Sequence, residues 1–266
     1  MNFNKLFLVF FLSLTFHGCA FIASRVVPVN DIKSPSGKYE IGTQIFHWTD
    51  NTRDEWFSSK EGDKRELMVQ VWYPALKPNK LIDPYPWIDN ANLREESIME
   101  NFKVPKFVAK AIDRVDTGTY LNSIPILSEK FPIVIFSHGF EGFRSQNTTQ
   151  IQELASNGYI VFALDHTYDA TLTIMSDGRL IPNAKKYCYG CEADQFYEVF
   201  IPQINTRIDD VRFILNQIEK INDGIFWLDK GELPSYTFFR NSYSCSYDNM
   251  NLVTIGGIDL YKSLNA

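Results

Sequence analysis

Residues 131–144, FPIVIFSHGFEGFR, constrain this chain more than any other stretch: an apolar run without polar alternation ends at His138-Gly139 and passes into a glycine-bearing loop. Pro132 to Phe136 has the β-branched and aromatic content of a strand buried on both faces. That predicts an α/β fold whose mostly parallel sheet is covered by helices. Such sheets carry their chemistry in the loops at the C-terminal ends of the strands. His138-Gly139-Phe140 is a loop of this kind, and Gly139 lets the backbone approach a ligand closely. An ordinary turn also reads His-Gly, so the dipeptide takes its meaning from its surroundings.

The length of 266 residues admits one large domain or two small ones, and 45 % hydrophobic with 22 % charged residues suits a globular core. A net charge of −6, with no basic run, argues against nucleic acid as a partner. The aromatic share of 15 % suits a protein that handles apolar groups, although core packing accounts for most aromatics.

Along the chain, residues 1–18 carry one lysine and an apolar run from Leu6 to Phe16, too short to span a bilayer comfortably, and read as an export signal. The segment resembles a bacterial lipoprotein signal, which implies lipid attachment at Cys19 and a tether to a membrane surface. Residues 19–36 read as that tether. Tyr39 to Trp48 and Glu66 to Tyr73 predict an opening antiparallel pair. Residues 81–128 place Phe102, Phe107, Val108 and Ala111 at roughly helical spacing. Thr148 to Asn157 predicts a helix stopped at Gly158, and Tyr159 to Leu164 a second buried strand. From Pro202 to Asn222, Ile204, Ile208, Val211, Leu215 and Ile218 mark an amphipathic helix, with Arg207 and Asp210 one turn apart and able to pair on its surface. Cys188 and Cys191 have redox spacing without the strand and helix of a redox site, and no histidine is near enough to complete a metal site. A local disulfide or two free thiols both remain open for them, with Cys245 left over.

Four blocks in order, GKYEIGTQIFHWTDNTRDE, RELMVQVWYPA, FPIVIFSHGFEGFRSQ and LASNGYIVFALDHTYDA, resemble bacterial members of the platelet-activating factor acetylhydrolase family from about Gly37 to about Asp229. The resemblance implies an α/β-hydrolase fold and hydrolysis of the short acyl ester at the glycerol 2-position of phospholipids through an acyl-enzyme, with no cofactor or metal. It also implies that the Phe140 N–H is a donor to the oxyanion, with His138, Gly139 and His166 close to the substrate.

The expected nucleophile is not legible. No glycine in the sequence has serine two places later, so there is no Gly-x-Ser-x-Gly elbow. Asp259, after a possible strand at Leu252 to Ile255, has too little chain beyond it to supply the usual acid and histidine. His17, His47, His138 and His166 all precede the place where the family's histidine belongs. These observations predict a partial hydrolase domain over 37–233, interrupted near Leu228 to Leu233 and followed by an unalignable tail over 234–266. Its N-terminal half-sheet would leave the Pro132 to Phe136 strand with an uncovered edge. They also predict a retained oxyanion donor without an attacking atom. A non-catalytic lipoprotein that binds a lipid or a partner is the rival reading, and a redox protein centred on Cys188 and Cys191 a third.

Overall fold

The computed structural model describes residues 34–78, 84–103, 105, 117–184 and 192–222. Cys19, Phe107, Val108, Ala111, Cys188, Cys191, Cys245 and Asp259 lie outside them, as do the signal and the tail. The chain divides into two units. One holds 1–33 with 86–117, the other 34–85 with 118–266.

In the larger unit, β1 (Glu40–Asp54) and β2 (Lys64–Ala75) form the expected antiparallel pair, with Trp48 opposite Leu67. Short β3 (Thr119–Leu121) lies parallel to β1. The buried strands are β4 (Ile133–Ser137) and β5 (Ile160–Asp165), parallel to each other, and β5 runs antiparallel to β2. The resulting order is β3-β1-β2-β5-β4. The sheet is therefore mixed, and its parallel β4–β5 pair is the part nearest the His138 loop. A separate hairpin of β6 (Leu172–Ile174) and β7 (Leu180–Pro182) follows β5.

Alternation along the strands sends side chains to opposite faces. Ile133, Ile135, Ile160, Phe162 and Leu164 pack with Val211, Ile214 and Ile218 of the long helix α3 (Ala193–Asn222). Val134, Phe136, Val161 and Ala163 pack on the other face with Ile151 and Ala155 of α2 (Thr148–Ser156). Both faces of β4 and β5 are thus covered, which is why these strands read as unbroken apolar runs.

Helix α2 ends as its sequence predicts. Gly158 takes φ 91, its N–H bonds Ala155 O and the Tyr159 N–H bonds Leu154 O, the double closure that needs a left-handed residue after the helix. Helix α3 begins nine residues before the expected start at Pro202. Pro202 stands inside the helix, where it forgoes one backbone bond without ending it. In the smaller unit α1 (Ala91–Phe102) is bracketed by left-handed Asn90 and Lys103, and Arg94 turns back onto Asp89. Among the described residues no helix is long and apolar enough to cross a membrane.

Candidate functional site

The site sits where β4 and β5 end, and one side chain of α3 ties both loops together. Alternation puts Ser137 on the α3 face, beyond Ile133 and Ile135. Its Oγ lies 2.8 Å from His166 Nε2, and His166 Nδ1 lies 2.8 Å from Asp210 Oδ2. Asp210 in turn accepts from Arg65 Nε at 3.0 Å, Arg65 Nη2 at 2.7 Å and Arg53 Nη2 at 3.0 Å. The third side of Arg65 is filled by Glu55 at 2.9 Å and the Thr167 carbonyl at 2.8 Å. Arg207 donates to Ser137 Oγ at 3.1 Å, to the His138 carbonyl and to Asp169.

Arg207 and Asp210 therefore do not pair with each other on an exposed surface. Both are buried, and each reaches a different set of partners. They continue the buried face of α3 marked by Ile214, Ile218 and Ile221, at steps of three and four. Charged residues lying within an apolar stripe were the available signal, because on that face they must find partners in the loops. Asp165 and His166, adjacent in sequence, diverge in the same way. Asp165 takes the Arg144 backbone N–H at 2.6 Å and the Arg144 guanidinium.

Ser137, His166 and Asp210 have the spacing of a nucleophile, a base and an orienting acid. Their electrostatics are those of a structural network. Burial first, and the Arg207 cation second, push the His166 imidazole down to about 3, against the pull of Asp210. Burial alone would raise the Asp210 carboxyl, but Arg65 and His166 overcome it and hold the group far below the usual carboxylate range. A base that weak is poorly matched to taking a serine proton near neutral pH. Ser137 also continues β4 in ordinary extended backbone, with Arg207 already donating to its oxygen. A nucleophilic elbow instead holds its serine on a strained strand-to-helix turn.

The loop after β4 is built from backbone contacts. His138 is 1 % exposed, and its Nε2 accepts the His166 backbone N–H at 3.0 Å. Its Nδ1 must then carry the proton, donated to Gly139 O at 2.6 Å. Burial, then Arg207, push this imidazole down to about 4, so it is neutral near pH 7. Gly142 N–H donates to the same Gly139 oxygen at 3.0 Å, and Glu141 takes φ 56 to close the turn. Phe140 stands at the tip, 39 % exposed, its ring 5.0 Å from the Arg207 guanidinium carbon and 5.7 Å from the Phe200 ring. The sequence placed His138, Gly139, Phe140 and His166 together at the strand ends, and they are together. Both histidines, however, have their two nitrogens satisfied within the protein and are closed to solvent.

Two other features do not compete. His47 Nδ1 lies 2.7 Å from Ser176 Oγ, but Glu66 is 3.6 Å from Nε2 and is held by Arg179 at 2.6 Å, so no acid orients that ring. A cleft of about 640 Å³ runs beside Asp50, Arg53 and the α3 residues Asp209 to Lys220, and its lining mixes both charges without a nucleophile and base. Among the described residues no group of histidine, cysteine and carboxylate side chains could hold a metal ion.

A mixed sheet whose parallel β4–β5 pair is covered by a helix on each face, with a His-Gly loop at the end of that pair, has the architecture of an α/β-hydrolase. Residues 26–229 match the family described as "Platelet-activating factor acetylhydrolase, isoform II", and the chain belongs to that family. The match begins earlier than the resemblance read from the four blocks. A curated relative, the platelet-activating factor acetylhydrolase of Cavia porcellus, is 32 % identical over 102 residues, or 37 % of this chain and 23 % of the relative. A solved ferulic acid esterase from Streptomyces cinnamoneus is 27 % identical with a TM-score of 0.55, covering 70 % of this chain and 48 % of that one. The matches thus span about a quarter of the curated relative and about half of the solved esterase.

Proposed function

We propose that this chain is organised to receive the short acyl ester of a glycerophospholipid or a similar small ester, with the ester oxygen directed at the Phe140 N–H. The observation that carries this reading is the loop at the end of β4, whose Gly139 carbonyl is held by two donors so that the following N–H is fixed before any charge develops. An apolar lip of Phe140, Phe200 and Phe196 suits an acyl or alkyl group. Family membership and the esterase likeness support ester hydrolysis as the chemistry of the scaffold.

In this chain the reading stops short of turnover. No elbow serine is present in the sequence, and among the described residues the imidazole behind Ser137 is too weak and too buried a base for the step, while the one behind Ser176 has no acid to orient it. We infer a chain that binds its ester at the lip and hydrolyses it at background rate. Lipid on Cys19 would hold that binding site at a membrane surface. Detergent-phase partition of the expressed protein, lost on Cys19→Ala, checks the anchor.

The direct test pairs two measurements on the full chain. A 1-alkyl-2-acetyl glycerophosphocholine should raise the unfolding temperature, while p-nitrophenyl butyrate should be hydrolysed no faster than by Ser137→Ala. Turnover well above that variant would refute the background rate, and no thermal shift with any short-acyl phospholipid would refute binding.

A further inference from the structure

The peptide between Gly139 and Phe140 is trans, since no cis bond occurs among the described residues, and a trans peptide points its N–H opposite to its C=O. Whatever holds the Gly139 oxygen therefore aims the Phe140 N–H. Two groups hold it: Gly142 N–H, which any tight turn would supply, and the His138 imidazole, which it would not. The ring can donate from Nδ1 only because the His166 backbone N–H occupies Nε2 and fixes the tautomer. The preceding peptide is fixed as well, since Arg207 binds the His138 carbonyl and is itself anchored on Asp169. Loop and donor are thus locked from both sides by side chains that do not face solvent.

We propose that His138 is a positioning residue, whose Nδ1–H sets the direction of the Phe140 N–H and so the place where an ester oxygen is received. The inference rests on the reading of Phe140 as that donor. It assigns the histidine of the His-Gly dipeptide a role inside the loop rather than against substrate.

Nuclear magnetic resonance on the isotopically labelled full chain tests it without requiring turnover. Long-range proton–nitrogen correlation should show His138 as the Nδ1-protonated tautomer from pH 6 to 8, and an Nε2-protonated ring would overturn the proposal. Residual dipolar coupling of the Phe140 N–H should be kept in His138→Asn, whose side-chain N–H can reach the same carbonyl. It should change in His138→Leu while couplings in β4 and β5 stay put, and an unchanged coupling in a folded His138→Leu would also overturn it. If His138→Leu does not fold, the wild-type tautomer decides. With methyl butylphosphonate as a tetrahedral anion, the wild type should show a shifted Phe140 amide and His138→Leu at least tenfold weaker binding. Equal affinity in the two would count against the proposal. No response of the wild type would instead sink the reading of Phe140, and with it the role assigned to His138 in receiving an ester.

Discussion

At Asp210 two arginines and an imidazole converge on one carboxylate that water does not reach, and most of the local energetics follow from that crowding. Removing one partner of a buried ion pair leaves an unpaired charge, at a cost of about 3–5 kcal/mol. Arg65→Met takes its buried cation from Glu55 and leaves Asp210 with Arg53 and His166 alone, so urea unfolding of the variant should show a loss of about that size, and a change near zero would mean the pairing is dispensable. The two histidines add a dependence on acidity. Each is held neutral in the fold, at about 3 for His166 and about 4 for His138, while the unfolded chain titrates near 6.5. Their stabilisation is whole above about pH 6.5 and is lost as the pH falls toward the folded values, because the unfolded state then binds the extra protons. At roughly 1.4 kcal/mol per pH unit for each group, unfolding free energy measured at pH 5 should lie a few kcal/mol below that at pH 7.5. A value that stays level or rises on acidification would contradict the buried neutral assignment.

Strand β4 carries the main prediction at the level of elements. Among the described residues only β5 pairs with it. Ile160 N–H donates to Pro132 O, so parallel geometry turns the Val134 and Phe136 amides toward β5 and the Ile133 and Ile135 amides outward. Hydrogen exchange should protect Val134 and Phe136 at least tenfold better than Ile133 and Ile135. Equal protection would show a covering strand supplied by other residues or by a second copy. The elements that write themselves into sequence are those whose whole surface obeys one rule. Strands β4 and β5 are apolar on both sides, α2 stops at a glycine that must be left-handed, and α3 keeps a three–four step from Ile204 to Ile221. Strand β3 and the β6–β7 hairpin, three residues per strand, are too short to show a period and were not legible.

Seen as a whole, the molecule joins a legible loop to a network that the sequence conceals. His138, Gly139, Phe140 and His166 were readable because each follows a strand end directly. The ties among Arg65, Asp210, Ser137 and Arg207 were not, since partners separated by more than a hundred positions, as Arg65 and Asp210 are, leave no local spacing to detect. Only the two charges inside the apolar stripe of α3 hinted at them. On the function proposed above, this network shapes a receptor for an ester oxygen, and Ser137, despite its imidazole neighbour, does not attack. Incubating the full chain with an excess of a reactive fluorophosphonate and weighing the intact protein tests this most directly. The expected spectrum shows the unmodified mass alone, whereas a stoichiometric adduct mapped to Ser137, and absent from His166→Gln, would show a working nucleophile and base and overturn it.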